Sequence, residues 1–261
     1  MKNGFHPGFD IRALSDPIGF AYGPGVFGPP CELRKLDAIR PSLRDPDCTG
    51  PDPVYAISMD VGTRDRRKDL ITRNLLFGAV VYAAGALGCE PVRSQGHVHA
   101  LSPSCGHSTP ELYEIWNGRA VILMQESTGN DPGCCFAVHA GPGEKVVVPP
   151  AWAHATISAD PDVPLVFGAW CVRDFAFDYT GVRSRGGLAW FPRIEEGALA
   201  WDPNPAYPVR RDLIPKAPNP QPRLNLDPVL PIWSQYLLQP GRFDWVPCPQ
   251  SVATAWDRFV P

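Results

Sequence analysis

The sequence predicts an all-β fold, a sandwich or a small barrel with decorated ends. Thirty-two prolines and 24 glycines are spread through 261 residues. Proline removes a backbone donor and clashes with the preceding turn, so long helices are not expected. From Val54 onward short apolar or alternating runs recur: VYAISM, NLLFGAVVYA, PVRSQGHVHA, ELYEIWN, RAVILMQE, CCFAVHA, KVVVPP and PLVFGAWCV. Each is rich in β-branched and aromatic residues and bounded by Gly, Pro, Asp or Ser, the punctuation of strands joined by turns.

Residues 1–50 carry repeated Gly-Pro breaks, GPGVFGPP and RPSLRDPD, around one brief helix-like stretch, CELRKLDAIR. That is the pattern of an N-terminal arm lying over a barrel. Residues 51–192 hold the strand rhythm and form the barrel itself. Residues 193–261 turn proline-rich again, DPNPAYPVRRDLIPKAPNPQP, before a tail, LPIWSQYLLQPGRFDWVP, whose tryptophans are expected to pack back onto the core. One hydrophobic core suits a chain of this length.

Twenty-four basic and 27 acidic residues leave a net charge of −3 and a pI near 6.1. Without a basic surplus to track phosphates, neither nucleic acid nor an anionic membrane is an expected partner. The start, MKNGFHPGFD, has no apolar leader core, and no run reaches the roughly 18 apolar residues of a membrane span. The protein is therefore expected in the cytoplasm. Eight cysteines, with Cys134 and Cys135 adjacent and no CxxC spacing, read as reduced, packed thiols rather than a disulfide framework.

Chemistry concentrates in three histidines and one glutamate. His97 and His99 are two apart, so on a strand both side chains leave the same face and can meet one ion. Glu111 opens ELYEIWNG, with six residues before Gly118, and His154 follows PPAWA, after a run in which Gly143 precedes Pro149 by six positions. In order, these pieces resemble the two cupin motifs, G(x)5HxH(x)3-4E(x)6G and G(x)5PxG(x)2H(x)3N. The resemblance implies a cupin double-stranded β-helix, a jelly-roll barrel. The sequence departs from the motifs in a long loop, ALSPSCGHSTP, between His99 and Glu111, in Ala151 for a glycine and in Ser158 for an asparagine. None of these changes removes a ligand. Three imidazoles and one carboxylate suit one divalent metal per chain, Fe2+, Mn2+, Zn2+ or Ni2+. Four protein ligands on an octahedral ion leave two positions for substrate, which points to catalysis rather than a closed structural site. His107, in the inserted loop, reads as a surface residue, and His139, at a strand end, as structural.

Beyond the motifs, the centre resembles the cupin-type phosphoglucose isomerases of archaea and some bacteria. The matching pieces are Asp52-Pro53-Val54-Tyr55, Gly88-Cys89-Glu90, Ser94 to His99, Glu111-Leu112-Tyr113, Pro149 to His154, Pro164-Leu165 and Asp178-Tyr179. IRALSD near the start and PIWSQYLLQPGRFDW near the end extend the likeness loosely. The resemblance implies metal ligation by His97, His99, Glu111 and His154, with Glu111 also moving the substrate proton. It implies substrate contacts by Ser94, Gly96, Tyr113 and Tyr179, and a homodimer. Two positions depart: Val80 and Cys171 stand where the family carries phosphate-holding hydroxyls. Arg93 shares strand parity with His97 and His99, which either points it inward as a bidentate phosphate contact or leaves it a solvated arginine at the rim.

The implied function is a metal-dependent aldose-ketose isomerisation of a sugar phosphate, glucose 6-phosphate to fructose 6-phosphate, through an enediolate. Two rivals stand beside it. One is another metal-dependent reaction on the same scaffold, an epimerase, lyase or dioxygenase, and the other is a cupin that binds a sugar without turning it over.

Overall fold

The computed structural model describes residues 5–261. Twelve strands place the site: β1 Glu32–Arg34, β2 Tyr55–Met59, β3 Leu75–Tyr82, β4 Val98–His99, β5 Glu111–Asn117, β6 Ala120–Gln125, β7 Cys135–Ala140, β8 Lys145–Val148, β9 Ala153–Ser158, β10 Val166–Val172, β11 Phe177–Asp178 and β12 Leu213–Lys216. A six-stranded sheet has the order β8-β5-β10-β3-β2-β1, and a four-stranded sheet the order β9-β6-β7-β12. All their pairings are antiparallel except β7 with β12. The two sheets enclose one interior, the jelly-roll barrel that the cupin motifs imply. No α-helix among the described residues exceeds seven residues, as the proline and glycine content requires.

Strands β3, β5 and β10 are buried along almost their whole length, because both faces of this sheet are covered. Tyr82, Tyr113, Ile115, Phe167 and Ala169 face the barrel interior. Phe77, Leu112, Trp116 and Trp170 point the other way, into a second core completed by Phe9 of the arm and by Trp233, Tyr236 and Phe243 of the C-terminal extension. Trp170 and Trp233 stack at 5.6 Å with their planes 12° apart. The tail tryptophan of the sequence thus packs onto the back of the sheet that carries the site.

Both flanks also enter the sheets. β1, within the first 50 residues, extends the six-stranded sheet by pairing Arg34 with Tyr55, and β12 runs parallel to β7. The stretch CELRKLDAIR divides into β1 and a four-residue helix, Leu36–Ile39, rather than one helix. All eight cysteines are free thiols. No helix among the described residues is long and apolar enough to cross a membrane.

Candidate metal and substrate site

Local geometry brings the four predicted ligands to one end of the barrel. Glu111 is the first residue of β5 and pairs with Val148 of β8. The chain then turns through Pro149 to Trp152 into β9, which starts one residue before His154. Ala151 takes φ +66°, the left-handed conformation that glycine adopts without strain. The turn therefore keeps its shape although its glycine is gone. His97 forms a bridge with His154, each backbone N–H donating to the other's carbonyl at 3.0 Å. The inserted loop fastens this end: the Ser108 hydroxyl donates to the His99 carbonyl at 2.7 Å and accepts the Ala151 amide at 2.8 Å.

One donor atom from each of His97, His99, Glu111 and His154 lies within 4.8 Å of all the others. His99 Nδ1 is 2.9 Å from the Thr109 carbonyl and His154 Nδ1 is 3.2 Å from that of Trp152. A carbonyl only accepts, so each Nδ1 carries the proton and each Nε2 turns a lone pair inward. His97 Nε2 and His99 Nε2 are buried without a hydrogen-bond partner. Glu111 Oε2 stands 3.2 Å from the Nε2 atoms of both His99 and His154. Lone pairs crowded against a carboxylate oxygen repel one another unless a cation sits between them, so the donor set fits a divalent metal. Desolvation of its ring and the adjacent imidazoles of His154 and His99 hold the pKa of His97 well below the ordinary value. Burial works to raise Glu111, but a proton taken up by His154 or His99 in the place of an ion more than offsets it and keeps the carboxyl well below the usual range. A neutral His97 beside an ionised Glu111 matches what metal ligation needs.

The cavity beside this cluster is walled by apolar Ile57, Met59, Val80, Phe167 and Phe177, and by polar Arg34, Tyr55, Tyr82, Ser94, Gln95, Thr156 and Tyr179. Tyr113 also lines it and donates to Glu111 Oε2 at 2.8 Å. Of the expected substrate contacts, Ser94, Tyr113 and Tyr179 stand in the cavity wall. Gly96, at φ +85°, lies between the lining residues Gln95 and His97. Val80 lines the cavity, and Cys171 is fully buried near Glu111, its thiol pushed up by burial and by that carboxylate.

Arg93 departs from the expectation. Its side chain leaves the cavity and pairs with Glu90 Oε2 at 2.7 Å, with the Ser42 carbonyl at 2.6 Å and with its neighbour's carbonyl at 3.0 Å. The cause is a register slip. Bridges Arg93–Ile157 and His97–His154 span four residues on one strand and three on the other. That extra residue, with Gly96 left-handed, reverses the side-chain parity between Arg93 and His97. Arg93 instead fastens the arm to the barrel. His107 is exposed in the inserted loop, and His139 is half-buried outside the cluster, with burial and Arg119 lowering its pKa. The sequence reading missed Arg34, Tyr55, Tyr82 and Thr156 as cavity residues. Only long-range strand pairing brings them together.

A family model described as glucose-6-phosphate isomerase (GPI) matches residues 38–210. The glucose-6-phosphate isomerase of Thermococcus onnurineus is 32% identical over 188 residues, covering 71% of this chain and 82% of that protein. The protein of the same name from Thermococcus kodakarensis is 29% identical over 212 residues, covering 79% and 93%. That of Thermococcus gammatolerans is 30% identical over 184 residues, covering 68% and 87%.

Proposed function

This chain belongs to the glucose-6-phosphate isomerase family, and from that premise we propose that it interconverts glucose 6-phosphate and fructose 6-phosphate at a divalent metal centre. The observation that carries the reading is Glu111. It is an ionised carboxylate set among three inward-facing imidazoles, in the wall of a cavity whose hydroxyls can hold a sugar.

A metal held by His97, His99, Glu111 and His154 would supply a Lewis acid for the sugar's C1 and C2 oxygens, lowering the barrier by several kcal/mol. The protein's own groups do the rest. Isomerisation removes the proton from C2 of the aldose and returns one to C1, while a hydroxyl proton passes between the two oxygens. Glu111 is the base that takes the C2 proton and gives it back at C1 through an enediolate of the sugar. Tyr113 holds the Oε2 oxygen of Glu111 by its hydrogen bond, and so fixes the carboxylate relative to the carbon it serves. Ile57, Val80, Phe167 and Phe177 exclude water, which protects the enediolate and strengthens the polar contacts around it. Tyr179 binds the substrate's hydroxyls, and Ser94 and the backbone at Gly96 approach its phosphate.

Glu111→Gln tests this reading. It removes the base, and a coupled assay for fructose 6-phosphate should show kcat lowered about a hundredfold or more. Near wild-type turnover in the variant would remove Glu111 from the chemistry. Val80 favours one second reading, another metal-dependent sugar reaction, because it puts a methyl pair where a hydroxyl would help hold phosphate. Wild-type protein inert on every sugar phosphate but consuming oxygen or epimerising a free sugar would establish that reading. We further propose a cytoplasmic homodimer, supported by the family membership. Light scattering should give about twice the 28.6 kDa chain mass.

A further inference from the structure

The arm furnishes the cavity with a cation. β1 ends at Arg34, which pairs with Tyr55 of β2, which in turn pairs with Tyr82 of β3. Three cavity-lining side chains therefore stand abreast across three strands. Among the described residues that line the cavity, Arg34 is the one arginine or lysine. A guanidinium offers five N–H donors in a rigid fork. Here Nε is buried without a hydrogen-bond partner. Nη2 reaches Glu32 Oε1 at 2.6 Å, but the Glu32 side chain is 64% exposed, and such a solvated pair yields readily to a better acceptor. Arg34 is also close enough to act on its surroundings. It opposes the upward push that burial gives the hydroxyls of Tyr55 and Tyr179.

We propose that Arg34 grips the phosphate of the sugar-phosphate substrate, supplying the charge that the wall at Val80 and the buried Cys171 do not. The assignment rests on the isomerase reading for the identity of the ligand. It rests on this structure alone for the residue. A guanidinium can take two phosphate oxygens at once, and charge-assisted bonds of this kind are roughly twice as strong as neutral ones. Tyr55 and Ser94, in the same wall, add neutral donors. The reacting carbons then lie toward Glu111 and the charged tail toward β1, so the arm sets which sugars are accepted.

The test uses metal-loaded protein. Arg34→Gln should raise KM for glucose 6-phosphate about tenfold or more while kcat stays within about twofold. Bound metal should remain at one per chain, and inorganic phosphate should raise the Tm of the wild type but not that of Arg34→Gln. Glu32→Gln frees the guanidinium and should lower KM, so it tests the assignment even if Arg34→Gln folds poorly. An unchanged KM in Arg34→Gln, or a raised KM in Glu32→Gln, would overturn the proposal. Wild type that isomerises no sugar phosphate would sink the isomerase reading by itself. The phosphate effect on Tm then decides Arg34: its loss in Arg34→Gln keeps the anion site, and its persistence removes it.

Discussion

Glu114 should make the stability of this protein depend on pH near neutrality, and Glu114→Gln should abolish that dependence. The residue lies on β5, three positions from Glu111 and on the opposite face, fully buried. It accepts the Ile232 amide at 2.9 Å and the Trp116 indole N–H at 3.2 Å, with Lys145 Nζ 3.5 Å away. Ile232 begins the helix Ile232–Leu238, so this carboxyl clamps the C-terminal extension to the back of the site's strand. Burial outweighs all three partners and lifts its pKa from 4.5 to about 7. An acid with a raised pKa holds its proton more tightly folded than unfolded. Its stabilising contribution is therefore fully present below pH 4.5 and is lost as pH rises through about 7. At about 1.4 kcal/mol for each pH unit between the two pKa values, the loss approaches ~3 kcal/mol. Glutamine keeps a carbonyl for the Ile232 amide and does not titrate in this range. Denaturant unfolding at intervals from about pH 5 to about pH 8 should show wild-type stability falling relative to Glu114→Gln by ~3 kcal/mol. Parallel curves across that range would refute the reasoning, since the two proteins differ only in whether position 114 ionises.

Tyr113→Phe removes the hydroxyl that Glu111 Oε2 accepts at 2.8 Å. A hydrogen bond to a charged group is worth ~1.5–3 kcal/mol, so kcat should fall about tenfold or more with metal content unchanged. An unaltered kcat would show that the tyrosine only fills space. Gly168→Ala would place a methyl 2.7 Å from Phe77 Cζ and closer still to Trp116, in the core between sheet and extension. It should cost ~1–3 kcal/mol, and an unchanged Tm would mean that this core is looser than its contacts imply.

The four residues of the candidate metal cluster were legible because each lies in a local pattern. Two histidines spaced by one residue share a strand face, and the glutamate and third histidine sit at fixed distances from turn residues that any fold of this kind must keep. Arg34 was not legible. Its strand is three residues long, set between prolines and a short helix, and its neighbours Tyr55 and Tyr82 follow by 21 and 48 positions. Only the register of β1 on β2 on β3 makes them adjacent. Arg93 shows the opposite failure, in which parity counting was sound for a regular strand and a one-residue bulge at Gly96 inverted it. The C-terminal tryptophans were rightly read as core. That Glu114 would be their anchor could not be read, because alternation along β5 marks it only as the face away from Glu111.

Titrating metal into chelator-stripped protein, with isomerase turnover and bound metal measured on the same samples, tests the central claim most directly. Turnover should rise in proportion to bound metal and saturate at one ion per chain, and His97→Ala, His99→Ala and His154→Ala should each lower both together. Full glucose 6-phosphate isomerisation by protein free of metal, or metal bound at one per chain after all three substitutions made singly, would contradict it.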